Sequence, residues 1–295
     1  MNPVDQFLTA IEAAGLTAPS AINGDGKLHR FSPTGKRGDD AGWYVLHLDG
    51  VPAGSFGDWR SGESQNWCAK ADHNLTEAER QAQRDRVKAA QRMRDAETVL
   101  RHAEAAATAL ALWEAAAPAV AHPYLASKGV KPFGIRSDGK QLLIPMRDAA
   151  GKLHSLQTIG ADGMKRFLPG GRVRGCYLAI GRPSGRLIVC EGYATGATLH
   201  EATHDAVAVA FNAGNLQAVA VALRAKYPCL SIVIAADDDW KTPGNPGVTA
   251  ANQAAQAVGG KVAVPVFAGL QRADKDTDYN DLHRLAGAVR IGGDA

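Results

Sequence analysis

At 295 residues and 31.0 kDa, the chain has room for about two domains of roughly 150 residues each. Its 45% hydrophobic and 21% charged residues exclude wholesale disorder, and no run reaches the about 18 apolar residues of a membrane span. The net charge of +3 is too small to name a partner by itself. The opening MNPVDQFLTA lacks a basic-then-apolar signal, and Cys68, Cys176, Cys190 and Cys229 form no CxxC pair. A cytoplasmic protein with neither zinc ribbon nor disulfide framework is expected.

Pro3 and the helical spacing of Val4, Phe7, Leu8 and Ile11 predict a helix over 3–14. The pattern then shortens to strands: Trp43, Val45 and His47 alternate with Tyr44, Leu46 and Leu48, and Asp49-Gly50 supplies a hairpin turn. Trp43, Trp59 and Trp67 are read as packing residues of a small sheet, with stacking on nucleobases as the alternative. Thr76 and Glu79 form a capping box ahead of a long Ala-, Glu-, Gln- and Arg-rich helix that runs to Pro118. Its near-balanced charges read as a solvated connecting helix.

Residues 119–186 change character, with twelve Lys and Arg against three Asp. The rest of the chain is therefore net negative, and a segregated basic stretch is the footprint of phosphate binding. Short strands are expected at 141–146, 153–159 and 177–180, with a tight turn at Asp148-Ala149-Ala150-Gly151.

From 187 onward, apolar runs at 187–190, 206–211, 230–236 and 261–267 alternate with helical stretches at 193–204, 216–226 and 248–258. This alternation predicts βαβ units and a parallel sheet, with Pro265 suiting an edge. Glu191 follows the first run and Asp237-Asp238-Asp239 the third, where an open parallel sheet binds its ligands. Asp237 and Asp239 are two residues apart and point the same way in extended chain. Gathered carboxylates repel unless a cation sits among them, and Mg²⁺ prefers oxygen ligands shared with substrate phosphates. Asp274, Asp276, Asp278 and Asp281 follow the fourth run. No P-loop, GxSxG or HExxH occurs. His200 and His204 have metal-ligand spacing, but an ordinary helix face is the expected reading.

LIVCEGYATGATL, IVIAADDDW and DTDYNDL together resemble the Toprim domain of DnaG-type primases, topoisomerases and some nucleases. QLLIPMRDAAGKLHSLQTI, MKRFLPGG and GCYLAIG resemble the basic subdomain that precedes it in those primases, in the version carried by plasmids, phages and conjugative elements. The resemblance covers about residues 120–285 and implies a Toprim domain with helices on both faces of a parallel sheet (187–290) preceded by a basic α+β subdomain (119–186); with the connecting helix (76–118) and the small N-terminal α+β module (1–72) read from the patterning above, the expected fold class is α/β.

It further implies Glu191, Asp237 and Asp239 as catalytic and metal-holding residues for Mg²⁺ or Mn²⁺, with Asp278 and Asp281 extending the metal face. Arg147, Lys165, Arg166, Arg172 and Arg174 would meet phosphates, and Asn212 and Gly214 would border the site. Where such primases often carry an acid four residues after the glutamate, this chain has Thr195. The implied activity is primer RNA synthesis from NTPs on single-stranded DNA, with a replicative helicase or relaxase as possible partner and no membrane partner. A Toprim nuclease and a non-catalytic single-stranded DNA-binding module are the alternatives.

Overall fold

A computed structural model describes residues 2–70, 76–289 and 291. Contacts divide the chain into two units, Met1–Leu100 and Arg101–Ala295. In the first, α1 (Pro3–Ala13) starts with the Asn2 side chain accepting the Val4 N–H and proline in the first turn, and it buries Phe7 and Ile11. β1 (His29–Phe31), β2 (Gly42–His47), β3 (Ala53–Asp58) and β4 (Ser64–Cys68) form an antiparallel sheet in that order. Gly50 turns β2 into β3 at φ +67°, in the left-handed region that glycine enters freely.

Phe7, Ile11, Phe31, Tyr44, Leu46 and Phe56 make this unit's core. The tryptophans pack, as the first reading had it: Trp67 meets Phe7 edge-on, and the Arg94 guanidinium lies 4.1 Å over the Trp43 ring. α2 (Glu77–Ala115) is 39 residues long and begins directly after Thr76; the Glu79 half of the capping box lies outside the described side chains. Arg86 of α2 donates to the carbonyls of Val51 and Asp49, so one basic residue of this helix ties it to the β2–β3 turn.

In the second unit β5 (Ala117–Pro118), α3 (Pro123–Lys128), β6 (Arg136–Ser137), β7 (Leu142–Arg147), β8 (Leu153–Ile159) and β9 (Lys165–Phe167) follow. The five strands make an antiparallel sheet in chain order. Asp148 closes the β7–β8 turn by accepting from the N–H groups of Ala150 and Lys152. β9 is exposed at all three residues.

β10 (Leu178–Ile180), β11 (Arg186–Cys190), α4 (Tyr193–Thr203), β12 (Ala206–Val209), α5 (Ala213–Lys226), β13 (Ser231–Ala235), α6 (Pro246–Val258), β14 (Lys261–Ala263) and α7 (Tyr279–Ala286) complete the chain. Their sheet has the order β10-β12-β11-β13-β14. β11 to β14 run parallel and β10 antiparallel to β12. Ile188, Val207 and Val233 pack with α4 and α7 residues on one face, while Leu187, Ala206 and Ile232 pack with α5 and α6 on the other. Helices therefore cover both faces, and strands buried on both sides read as continuous apolar runs.

Two details differ from the sequence expectation. The strand at 178–180, grouped by charge with the basic stretch, hydrogen-bonds into the parallel sheet as its antiparallel edge. β14 stops at Ala263, two residues before Pro265, which lacks the N–H that would extend the ladder. Among the described residues no helix is long and apolar enough to cross a membrane.

Candidate active site at the strand ends

β11 ends at Cys190, and the chain turns so that Glu191 precedes α4. The Glu191 carbonyl accepts the Phe211 N–H at 2.8 Å, and its carboxylate accepts from the Ala213 N–H at the start of α5. Asn212 lies between these two contacts and leaves its helix without a side-chain cap. Asp237, Asp238 and Asp239 follow β13.

Asp238 is turned to Arg272, whose Nη1 donates to Oδ2 at 2.7 Å, and to Asn245, whose Nδ2 donates to Oδ1 at 2.7 Å. The charge of Asp239 acts on Glu191, and that of Glu191 on Asp237. Asp239 Oδ2 accepts from the Gly247 N–H at 3.0 Å, at the start of α6. A Cβ at Gly247 would stand 2.3 Å from the Asp237 carbonyl oxygen, so only glycine lets α6 approach this loop.

Asp278 comes from the segment after β14. The Asp238 N–H donates to the Thr277 carbonyl at 2.8 Å, joining the two acidic loops. Asp278 caps α7 through Oδ1, which accepts the Asp281 N–H at 2.8 Å, and Oδ2 accepts the Thr195 hydroxyl at 2.9 Å. Asp281 is engaged elsewhere: it accepts the Thr277 N–H at 3.0 Å and lies 3.9 Å from Lys128.

Burial, then the charges of Glu191, Asp278 and Asp239, push the Asp237 carboxyl far above its usual range. Burial and then Asp239 push Glu191 up to about 7. Lys165 of β9 opposes both shifts, and a Cβ at Gly192 would lie 3.8 Å from its Nζ. Phe167 on the same strand meets Phe211 edge-on, centroids 6.3 Å apart.

A divalent cation fits this donor set. Asp237 Oδ1 is buried without a hydrogen-bond partner, among three further carboxylates that raise its proton affinity. Among the described residues no three His, Cys, Asp or Glu side chains already have the spacing of a closed metal site. Mg²⁺ does not demand one, because one or two carboxylates with water and substrate phosphates suffice. Glu191, Asp237, Asp239 and Asp278 are thus an electrostatically coupled group rather than a finished four-ligand cage.

The expected cationic residues divide. Of these five, Lys165 is the one whose charge opposes the shifts of Glu191 and Asp237. Arg166 is exposed on β9, opposite Thr158. Arg147 donates to the Gly151 carbonyl at 2.9 Å and lies 5.8 Å from the Trp113 ring centre. Arg172 and Arg174 line a cavity of about 930 Å³ with His102, Asp148, Gln217 and Val221. The His200–His204 pair is no metal site: His200 Nδ1 is bound to the Asp205 carbonyl at 2.6 Å, and His204 ends α4 in a left-handed conformation.

Sequence reasoning missed Arg272 and Asn215. The Arg272 guanidinium bonds Asp238 twice and the Asp276 carbonyl once, and stacks on Phe267 at 4.1 Å and Trp240 at 4.8 Å. Buried Asn215 donates to the carbonyls of Cys176 and Ala210 and accepts from the Gly175 N–H. No local pattern marks either residue.

Residues 186–289 match the Toprim domain family. Over 286 residues the chain is 40% identical to a DNA primase TraC of Escherichia coli, covering 91% of this chain and 27% of that protein. A second TraC of Escherichia coli is 38% identical over 290 residues, covering 91% and 20%. The chain therefore spans only about a fifth to a quarter of the curated relatives it matches. The primase fragment of the bacteriophage T7 primase-helicase is a structural relative at 16% identity and a TM-score of 0.42, covering 57% of this chain and 70% of that one. The DnaG catalytic core aligns at 14% identity and a TM-score of 0.35, covering 54% of each. The segment that matches the Toprim domain family, residues 186–289, is the one that carries the two-faced sheet and the acids at its strand ends.

Proposed function

We propose that this chain is a primase, joining nucleoside triphosphates into short RNA primers on single-stranded DNA. The observation that carries the reading is the orphaned, buried Asp237 Oδ1 within reach of the charges of Glu191, Asp239 and Asp278. The 40% identity to a DNA primase TraC supports it.

Nucleotidyl transfer asks the protein mainly for positioning and charge neutralisation. Asp237, Asp239 and Glu191 would hold Mg²⁺ or Mn²⁺, with Asp278 beside them. The cation would supply neutralisation of the triphosphate and lower the cost of ionising the primer hydroxyl. Glu191, pushed up to about 7 in the metal-free chain by burial and Asp239, would be favoured in its ionised form by the cation it helps to hold. Lys165 would meet a triphosphate oxygen, and Asn212 would border the nucleotide. Arg166, Arg172 and Arg174 would hold strand phosphates, the last two in the 930 Å³ cavity. Arg147, tied to Gly151 and Trp113, would shape that basic face. In this division of labour 187–290 carries the chemistry, 119–186 the phosphate track, 76–118 connects, and 1–72 is an accessory module.

The test supplies the full chain with single-stranded DNA of varied sequence, labelled NTPs, and Mg²⁺ or Mn²⁺. Template-dependent products containing ribonucleotides are expected. Shortening of labelled DNA without NTPs overturns this reading in favour of a nuclease. Binding with neither reaction leaves a carrier of single strands.

A further inference from the structure

Thr195 stands in the first turn of α4 with 1% of its surface exposed. A helical threonine commonly returns its hydroxyl hydrogen bond to the carbonyl four residues earlier. Here that carbonyl belongs to Glu191 and already accepts the Phe211 N–H. The Thr195 hydroxyl instead crosses 83 residues of sequence to Asp278 Oδ2, at 2.9 Å. The other oxygen of Asp278 is taken by the Asp281 N–H at 2.8 Å. The carboxylate is held from both sides, yet each oxygen keeps a further lone pair for a cation. Its charge acts on both Glu191 and Asp237.

We propose that Thr195 is a positioning residue of the cation centre, aiming the Asp278 carboxylate toward Glu191 and Asp237. The hydroxyl adds orientation without adding another negative charge to a group whose members already repel one another. Bonds that orient a ligand carboxylate typically matter 10- to 100-fold in metal affinity. The inference rests on the metal-centre reading above, but not on polymerisation.

The experiment measures Mn²⁺ binding to the full chain by calorimetry and by the spin-resonance signal of free Mn²⁺, without nucleic acid. Thr195→Val keeps the branched shape and removes the donor; binding should weaken by about tenfold or more. Thr195→Ser, which restores the hydroxyl, should return affinity to within about threefold of the parent. Asp278→Asn still caps α7 and should weaken binding similarly. Adding Thr195→Val to it should cost little more, because the two residues act through one bond.

Equal binding by the parent and Thr195→Val overturns the proposal alone. So does a valine effect that survives unchanged on the Asp278→Asn background, or a serine that fails to rescue. A parent chain that binds no Mn²⁺ overturns the metal centre and this inference with it. If Thr195→Val does not give a cooperative melt, Thr195→Ala takes its place in every comparison. A purely structural bond would lower the melting temperature and leave Mn²⁺ affinity where it was.

Discussion

The two sheets of the second unit put their charge in opposite places. In the antiparallel sheet the outer strand β9 is exposed throughout and carries Lys165 and Arg166. In the parallel sheet the strands are buried on both faces, so acids appear only where strands end, at Glu191 and at Asp237 and Asp239. An edge strand can carry long cationic side chains into water at little cost. A strand covered by helices on both sides carries them only at its ends, as β11 does with Arg186 and β14 with Lys261. The exposed edge strand thus gathers cationic residues and the buried sheet's ends gather acids, and Lys165 of the edge strand opposes the carboxyl shifts of Glu191 and Asp237.

That contrast can be broken most severely at its acidic side. Asp237→Asn should abolish nucleotide incorporation, by about 10³-fold or more, as loss of a charge-stabilising group at a reacting centre does. The same change should reduce the loss of melting temperature of the metal-free chain as pH rises, because it removes a buried carboxyl whose ionisation its acidic neighbours disfavour. Labelled-NTP incorporation and a thermal melt report the two halves. Arg272→Ala comes next. It leaves the largely buried Asp238 carboxylate without its cation and should cost about 3 kcal/mol, read as a shift in denaturant midpoint with unchanged slope.

On the basic side, Lys165→Ala with Arg166→Ala should weaken single-stranded DNA binding about tenfold at moderate salt and reduce the salt slope by about 1.4. Its melting temperature should fall by less than that of Arg272→Ala, since β9 is exposed and only the partial offset of the acid repulsion by Lys165 is lost. A melting change as large as that of Arg272→Ala would show that the exposed strand is structural.

The smallest effect expected is in pH dependence. Glu191 and Asp237 bind protons more tightly folded than unfolded. Their contribution to stability is thus fully present below the ordinary carboxylate range and is lost as pH rises through about 7 for Glu191. The metal-free chain should melt higher at pH 5 than at pH 8, and Mg²⁺ should narrow the gap by favouring the ionised centre at the higher pH.

Glu191, Asp237 and Asp239 were legible because a buried parallel strand leaves an uninterrupted apolar run, and the residue after it is at the binding edge. Within the Asp run the structure turns Asp238 to Arg272 and Asn245. The partners were not legible. Arg272 reaches back 34 residues to Asp238 and Thr195 forward 83 to Asp278, and no local periodicity records such pairings. Charge composition misassigned the strand at Leu178–Ile180, because composition carries no information on which neighbour a strand hydrogen-bonds. It also grouped Arg147, Lys165, Arg166, Arg172 and Arg174 as one set, whereas the fold disperses them over an edge strand, a turn and a cavity.

The edge-to-face contact of Phe167 with Phe211 has a mechanical meaning. Phe211 sits at φ +73°, an uncommon backbone state for a bulky residue, next to the N–H that fastens Glu191. One aromatic ring thus clips the cationic outer strand to the residue whose N–H bonds the Glu191 carbonyl. Trimming that ring would let the lysine drift while every acid stayed in place, so the spacing between opposite charges could be varied like the gap of a capacitor, independently of the charges themselves.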